Sequence, residues 1–163
     1  FGRKDYQQLA VIRHMVRDLA FPIGLVGADI VREDDGLARS SRNQYLSEQE
    51  RARAPEIHRV LLAMRDAVLD GRDWRSVESD AARRLSGAGF EVDYAVIRTP
   101  LLVAPSAVPG RGDDGQRVAL VAARLGGTRL IDNLEFTLDS AWSPRFVPHA
   151  RQLRFGIAVR AIL

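Results

Sequence analysis

Cysteine is absent from the 163 residues, which excludes disulfides and thiolate metal sites. Lysine is almost absent too: Lys4 stands alone beside 23 arginines, a compositional habit of the source rather than a binding signal. No apolar run approaches the roughly 18 residues a membrane-spanning helix needs. Phe1 opens no secretory pattern, and without Met at position 1 the chain reads as incomplete. A cytoplasmic protein is the plain expectation. Aromatic residues make up 7%, too few to supply stacking platforms for bases. Charge is nearly balanced as well. Residues 1 to 136 hold 20 basic and 20 acidic side chains, so the whole surplus of +3 comes from the arginines of the last 27 residues. A neutral body argues against a nucleic-acid binder led by a basic tail.

What is present reads as an α/β protein. Leu9, Ile12, Met15, Val16 and Leu19 recur at helical spacing, so the pattern predicts an amphipathic helix over Asp5 to Leu19. Phe21-Pro22 ends it. Ile23-Gly24-Leu25-Val26 has the apolar composition of a buried parallel strand, and Asp29 to Arg32 that of a second short extended piece. Glu33 to Asn43 is a polar loop containing Gly36. Ser47 with Glu50 three residues on has the spacing of a capping box, and Pro55 interrupts the helix that follows. A second helical segment runs from Pro55 to Asp70, with Ile57, Val60, Leu61, Met64, Val68 and Leu69 as its stripe, and stops at Gly71. Asp73 caps a third through about Leu85, with Gly87 and Gly89 closing it. Val92 to Ile97 alternates as a strand, and Pro100 to Gln116 is a loop. Val118 to Leu125 and Thr128 to Leu134 flank the Gly126-Gly127 turn of a hairpin.

Two segments carry chemistry. In Phe1-Gly2-Arg3-Lys4-Asp5-Tyr6-Gln7-Gln8, Gly2 lets backbone approach a ligand, the helix start favours an anion, and Lys4 supplies a mobile charge. The plain alternative makes Asp5 a helix cap and Lys4 a solvated side chain. In Arg39-Ser40-Ser41-Arg42-Asn43, two hydroxyls and a guanidinium on consecutive residues offer many donors to phosphate oxygens. A surface loop of this composition is also common without a ligand.

Together with Val31 to Leu46 and with Val121 to Asn133, these segments match in order and spacing the motifs of pantothenate synthetase (pantoate–beta-alanine ligase), which the chain resembles over residues 1 to about 135. The resemblance implies an ATP-dependent, adenylate-forming ligase. Pantoate's carboxylate would attack the α-phosphorus of ATP, and the amine of beta-alanine would then displace AMP. Charge on the phosphates calls for cations, donors and Mg²⁺. Gly2, Arg3, Lys4, Asp5, Val31, Arg39, Ser40, Ser41 and Arg42 take positions of the ATP site, with Lys4, Ser40, Ser41 and Arg42 as the catalytic group. Gln8 takes the pantoate position, and no metal ligand is implied. The implied fold is the last αβ unit of a Rossmann-like nucleotide domain (residues 1–45), then a small α+β lid domain (46–136), then a tail of other origin (137–163). The full-length family is expected to be a homodimer.

The departures are as informative. Arg39 stands where the family carries Met or Leu, and Gly27-Ala28-Asp29-Ile30 replaces Gly-Val-Pro-Thr. The His-x-Gly-His motif of the family's N-terminal half is missing: His14, His58 and His149 lie far apart. The chain therefore reads as a back half, expected to be inactive alone. The alternative is a non-catalytic ATP-binding or interaction module derived from that enzyme. The tail after Glu135 matches nothing in the family, which favours a read-through, frameshift or gene-model origin over a functional amphipathic segment.

Overall fold

The computed structural model describes residues 1–105 and 114–138. The first element is helix α1 (Tyr6–Asp18), within one residue of the bounds its apolar spacing predicts. A short 3-10 turn (Ser41–Tyr45) follows the polar loop. Helices α2 (Glu48–Arg53) and α3 (Glu56–Leu69) are separated at Pro55, whose ring cannot sit inside a continuous helix. The capping box forms in full: Ser47 Oγ accepts from the Glu50 N–H, and Glu50 accepts from the Ser47 N–H at 2.8 Å. Asp73 caps α4 (Trp74–Gly87) by accepting from the Ser76 N–H at 3.0 Å. Gly87 ends inside that helix. Gly89, at φ +88, is the residue that turns the chain out of it.

Three antiparallel strands in the order β1-β2-β3 complete the structure: β1 (Glu91–Arg98), β2 (Gln116–Leu125) and β3 (Thr128–Thr137). The β2–β3 hairpin is in register from Leu125–Thr128 to Gln116–Thr137, three residues beyond the predicted end of the last strand. Its turn places Gly126 at φ +56, where a β-carbon would run into the Glu50 carboxylate. Both faces of the sheet are covered, which is why β2 is buried at almost every position instead of alternating. On one face, Ile57, Leu61 and Met64 of α3 and Val77, Ala81 and Leu85 of α4 pack with Ala95, Ile97, Val121 and Leu125. On the other, Tyr6 of α1 packs on Val118 and Leu120. Leu138, just past β3, joins the main core, so packing continues to the last described residue. The proposed origin of the remaining tail lies outside the described residues.

Two expectations are corrected. Ile23 to Val26 is extended but is no buried strand: Ile23 is 59% and Val26 78% exposed. Just past the run, Gly2 and Ala28 form a single parallel bridge and the Phe1 amine donates to the Val26 carbonyl, but among the described residues none of the three strands pairs with the run. An apolar run makes a strand only where another strand accepts its hydrogen bonds. Leu69 also falls off the buried stripe of α3, being 43% exposed at the final turn.

Candidate functional site

The two chemistry-bearing segments meet. Lys4, at the mouth of α1, lines one cleft with Ala38, Ser40, Arg42 and Asn43 of the loop and with Arg129 and Asp132 of β3. The space they enclose is water-sized. It opens beside Arg42 and Arg129 onto a broader surface depression that adds Tyr45, Arg124 and Thr128.

The local backbone explains why these side chains face one another. Asp5 holds the N-cap position of α1 but its carboxylate caps nothing. The first-turn amides keep their partial positive charge next to Lys4, whose Nζ lies 3.8 Å from Asp5. Across the cleft, Arg32 and Ala38 bridge the two arms of a turn at Gly36, and the Arg39 N–H donates to the Val31 carbonyl at 2.8 Å. The 3-10 turn then opens at Ser40, whose Oγ accepts from the Arg42 N–H at 3.2 Å. That bond occupies one acceptor position of the Ser40 oxygen and leaves its O–H free to donate. Asn43 Nδ2 donates to the Ala38 carbonyl at 3.1 Å and fixes the turn to the strand-like arm. Arg51 binds Asp35 at 2.5 Å and holds its carboxyl below the usual range, tying the tip of the loop to α2.

Not every expected residue reaches the cleft. Arg3 lies between Asp29 (3.3 Å) and Glu135 (3.7 Å), and its stem packs against Gly27. Arg39 pairs with Glu33 at 3.2 Å on the exposed side of the loop. Gly2 is held in the bridge to Ala28, and Val31 keeps an exposed side chain while its carbonyl is engaged. Ser41 and Gln8 are exposed, Gln8 one turn along α1.

Four residues that sequence reasoning left without a role build the floor of the site. Arg32 makes a paired contact with Asp132, at 2.6 and 3.0 Å, and donates to the Gly36 and Asn133 carbonyls. Asp132 is 4% exposed, so this ion pair is desolvated and depends on its geometry. His58 lies against Gly36, with its Nδ1 4.0 Å from Asp132 and no hydrogen bond. Burial, then the positive charge of Arg32, pushes its pKa below the ordinary value against the pull of Asp132. A Val-Arg pair and an Asp-Asn pair a hundred residues apart carry no local signal that they touch. Among the described residues, no group of three His, Cys, Asp or Glu side chains is placed to hold a metal ion.

A model of the pantoate-beta-alanine ligase family matches residues 1–135. The chain belongs to that family. It is 62% identical over 136 residues to the pantothenate synthetase of Stenotrophomonas maltophilia (strain K279a), and 64% over 140 residues to that of Xylella fastidiosa (strain M23). Each match covers 83% of this chain and 47% of the relative, so the chain spans about half the length of the curated ligases it matches. The crystal structure of pantothenate synthetase from Thermus thermophilus superposes with a TM-score of 0.72 at 44% identity, over 82% of this chain and 48% of that one. A pantoate-beta-alanine ligase from Francisella tularensis, complexed with beta-gamma ATP and beta-alanine, shares the fold at TM-score 0.56 and 23% identity. The α/β class expected from the sequence is that of these ligases. No helix among the described residues is long and apolar enough to cross a membrane.

Proposed function

We propose that this chain carries the phosphate-gripping face of an ATP-dependent ligase that joins pantoate to beta-alanine through pantoyl adenylate. The observation that carries the reading is the convergence of Lys4, Ser40 and Arg42 on one cleft beside the uncapped start of α1. In this reading residues 1–45 belong to the nucleotide domain and 46–136 form its lid.

Because the enclosed space is water-sized, a triphosphate would lie across the mouth, where Arg42 faces the depression lined by Arg124 and Arg129. In the first step a pantoate carboxylate oxygen forms a bond to the α-phosphorus. The bond from that phosphorus to the bridging oxygen breaks, and pyrophosphate leaves with the electron pair. Lys4, Arg42 and the Ser40 hydroxyl stabilise the charge gathering on the leaving oxygens, each such donor supplying roughly 1.5–3 kcal/mol. In the second step the amine of beta-alanine attacks the acyl carbon, loses a proton, and AMP departs. Gln8, with an amide that both donates and accepts, is assigned to pantoate. A Mg²⁺ ion would supply further charge on the phosphates. The described residues offer it no carboxylate cluster, so phosphate oxygens and water would hold it.

Calorimetric titration with ATP tests the reading. Binding that Lys4→Ala and Arg42→Ala each weaken by about tenfold supports it. No binding at millimolar ATP overturns it. The chain alone, half the length of its relatives, is expected to show no pantoate-dependent exchange of pyrophosphate into ATP.

A further inference from the structure

Among the described residues no hydrogen bond or ion pair joins the Lys4 side chain to Ser40 or Arg42 across the cleft. The two arms are joined from below by two consecutive residues of β3. Asn133 Nδ2 donates both of its protons, one to the Arg3 carbonyl and one to the Lys4 carbonyl, each at 2.9 Å. One position earlier, Asp132 accepts from both terminal nitrogens of Arg32, and Arg32 in turn holds the Gly36 carbonyl at 3.0 Å. Asp132 also accepts from the Asn133 backbone N–H at 2.8 Å, which locks the two side chains to a common backbone point. Both residues are almost fully buried, at 4% and 3% exposure.

Adjacent strand residues point to opposite faces of a sheet. Here that alternation lets one dipeptide reach the Lys4 arm with one side chain and the loop arm with the other. We propose that Asp132 and Asn133 are positioning residues that set the distance between Lys4 and the Ser40–Arg42 turn, and so the affinity for a nucleotide triphosphate. This rests on the reading that both arms grip one nucleotide. The chemistry suits the role. A primary amide is the neutral side chain that can donate to two neighbouring carbonyls at once, and a carboxylate matches the fork of a guanidinium. Neither residue lends its own charge to the ligand, because Arg32 neutralises Asp132.

The test uses the whole chain with Asn133→Leu, which keeps the branched shape and loses both donors, and Asp132→Asn, which keeps the shape and loses the charge. Asn133→Asp serves if Asn133→Leu does not fold. Val77→Ala in α4 is the control, compared with those variants whose melting temperature falls by the same amount, because it loosens the core at a residue outside the cleft. Amide hydrogen exchange is expected to quicken at residues 2–6 in the Asn133 variants and at 32–38 in Asp132→Asn, with α4 unchanged. ATP affinity is expected to fall about tenfold in each, and to stay as it was in Val77→Ala. Unchanged exchange in both segments overturns the proposal. So does ATP affinity that follows melting temperature alone, equal in the control and in the matched variants. If the unmodified chain binds no ATP, the function proposed above fails by itself, and the proposed positioning role falls with it whether or not exchange quickens.

Discussion

The helix–sheet unit after Leu46 and the segment before Val31 are built on opposite terms. In the first, α3 and α4 seal one face of the sheet, and the core is closed by side chains such as Leu61, Leu85 and Leu125 with no exposed surface. In the second, only Tyr6, Leu9 and Ala10 of α1 are buried, while Val11, Met15, Leu19, Phe21, Ile23 and Val26 lie open. Yet Lys4 sits in the second region. The buried core lies in one part and half of the proposed phosphate grip in the other, and the Asp132-Asn133 dipeptide hydrogen-bonds to both arms of the cleft. Binding segments drawn from the less stable part of a fold are a general pattern. Among the described residues of this chain, which spans about half the length of its curated relatives, the open segment makes few apolar contacts of its own.

The same substitution made on two helices breaks or upholds this contrast. Val60 of α3 is 1% exposed, and Val60→Ala is expected to cost about 2–3 kcal/mol from lost burial and the cavity left behind. Urea unfolding measures it, and a loss below about 1 kcal/mol would mean the core is looser than its packing shows. Next in size is Ser47→Ala, which removes the Oγ acceptor of the capping box and leaves the Glu50 N–H without it. About 1 kcal/mol is expected, read from the shift in the urea midpoint at constant slope.

How far the sequence reached follows from the same contrast. The helices of the sealed unit were legible because their stops are local: Pro55, the Ser47–Glu50 box, Asp73 and Gly71 act through neighbours within four residues. The hairpin was legible from Gly126-Gly127. Ile23 to Val26 misled because strand formation is decided by a neighbour, and four apolar residues look alike whether or not one is present. In the candidate site, Lys4, Ser40 and Arg42 stand out by residue type and by family resemblance, and the structure brings these three to one cleft. Arg32, His58, Asp132 and Asn133 do not, because a pairing across a hundred residues is a property of the sheet and its loops. Arg39 shows where composition and placement part. A guanidinium in a phosphate-type loop suggests a further donor, but Glu33 at 3.2 Å holds it on the outer side.

His58 allows the junction between the two regions to be probed by pH. Its folded-state pKa lies below the ordinary 6.5, because burial and the charges of Arg32 and Arg65 outweigh the attraction of Asp132. The unfolded chain therefore takes up this proton first as pH falls. The stability carried by neutral His58 is complete above about 6.5 and drains away as pH drops below that toward the folded value. Melting temperature is expected to fall between pH 7 and 5, and His58→Gln is expected to flatten that fall. Asp35 and Asp80, whose carboxyls are held low by arginines, add their own losses only further down, below the ordinary 3.8. An unchanged slope in His58→Gln would remove His58 from the account of the junction.

The smallest effect is the most discriminating one. Val11 is the counterpart of Val60 on α1, mid-helix but 65% exposed. Val11→Ala removes little buried surface and replaces a β-branched residue, stiff in a helix, with the best helix former. The expected change is a gain of about 0.5 kcal/mol or less, opposite in sign to Val60→Ala. A loss of 1 kcal/mol or more would show that this face of α1 is covered in solution. Its dependence on protein concentration would then say by what: a loss that vanishes on dilution points to a second copy of the chain, since a contact between copies weakens with concentration and one within a chain does not.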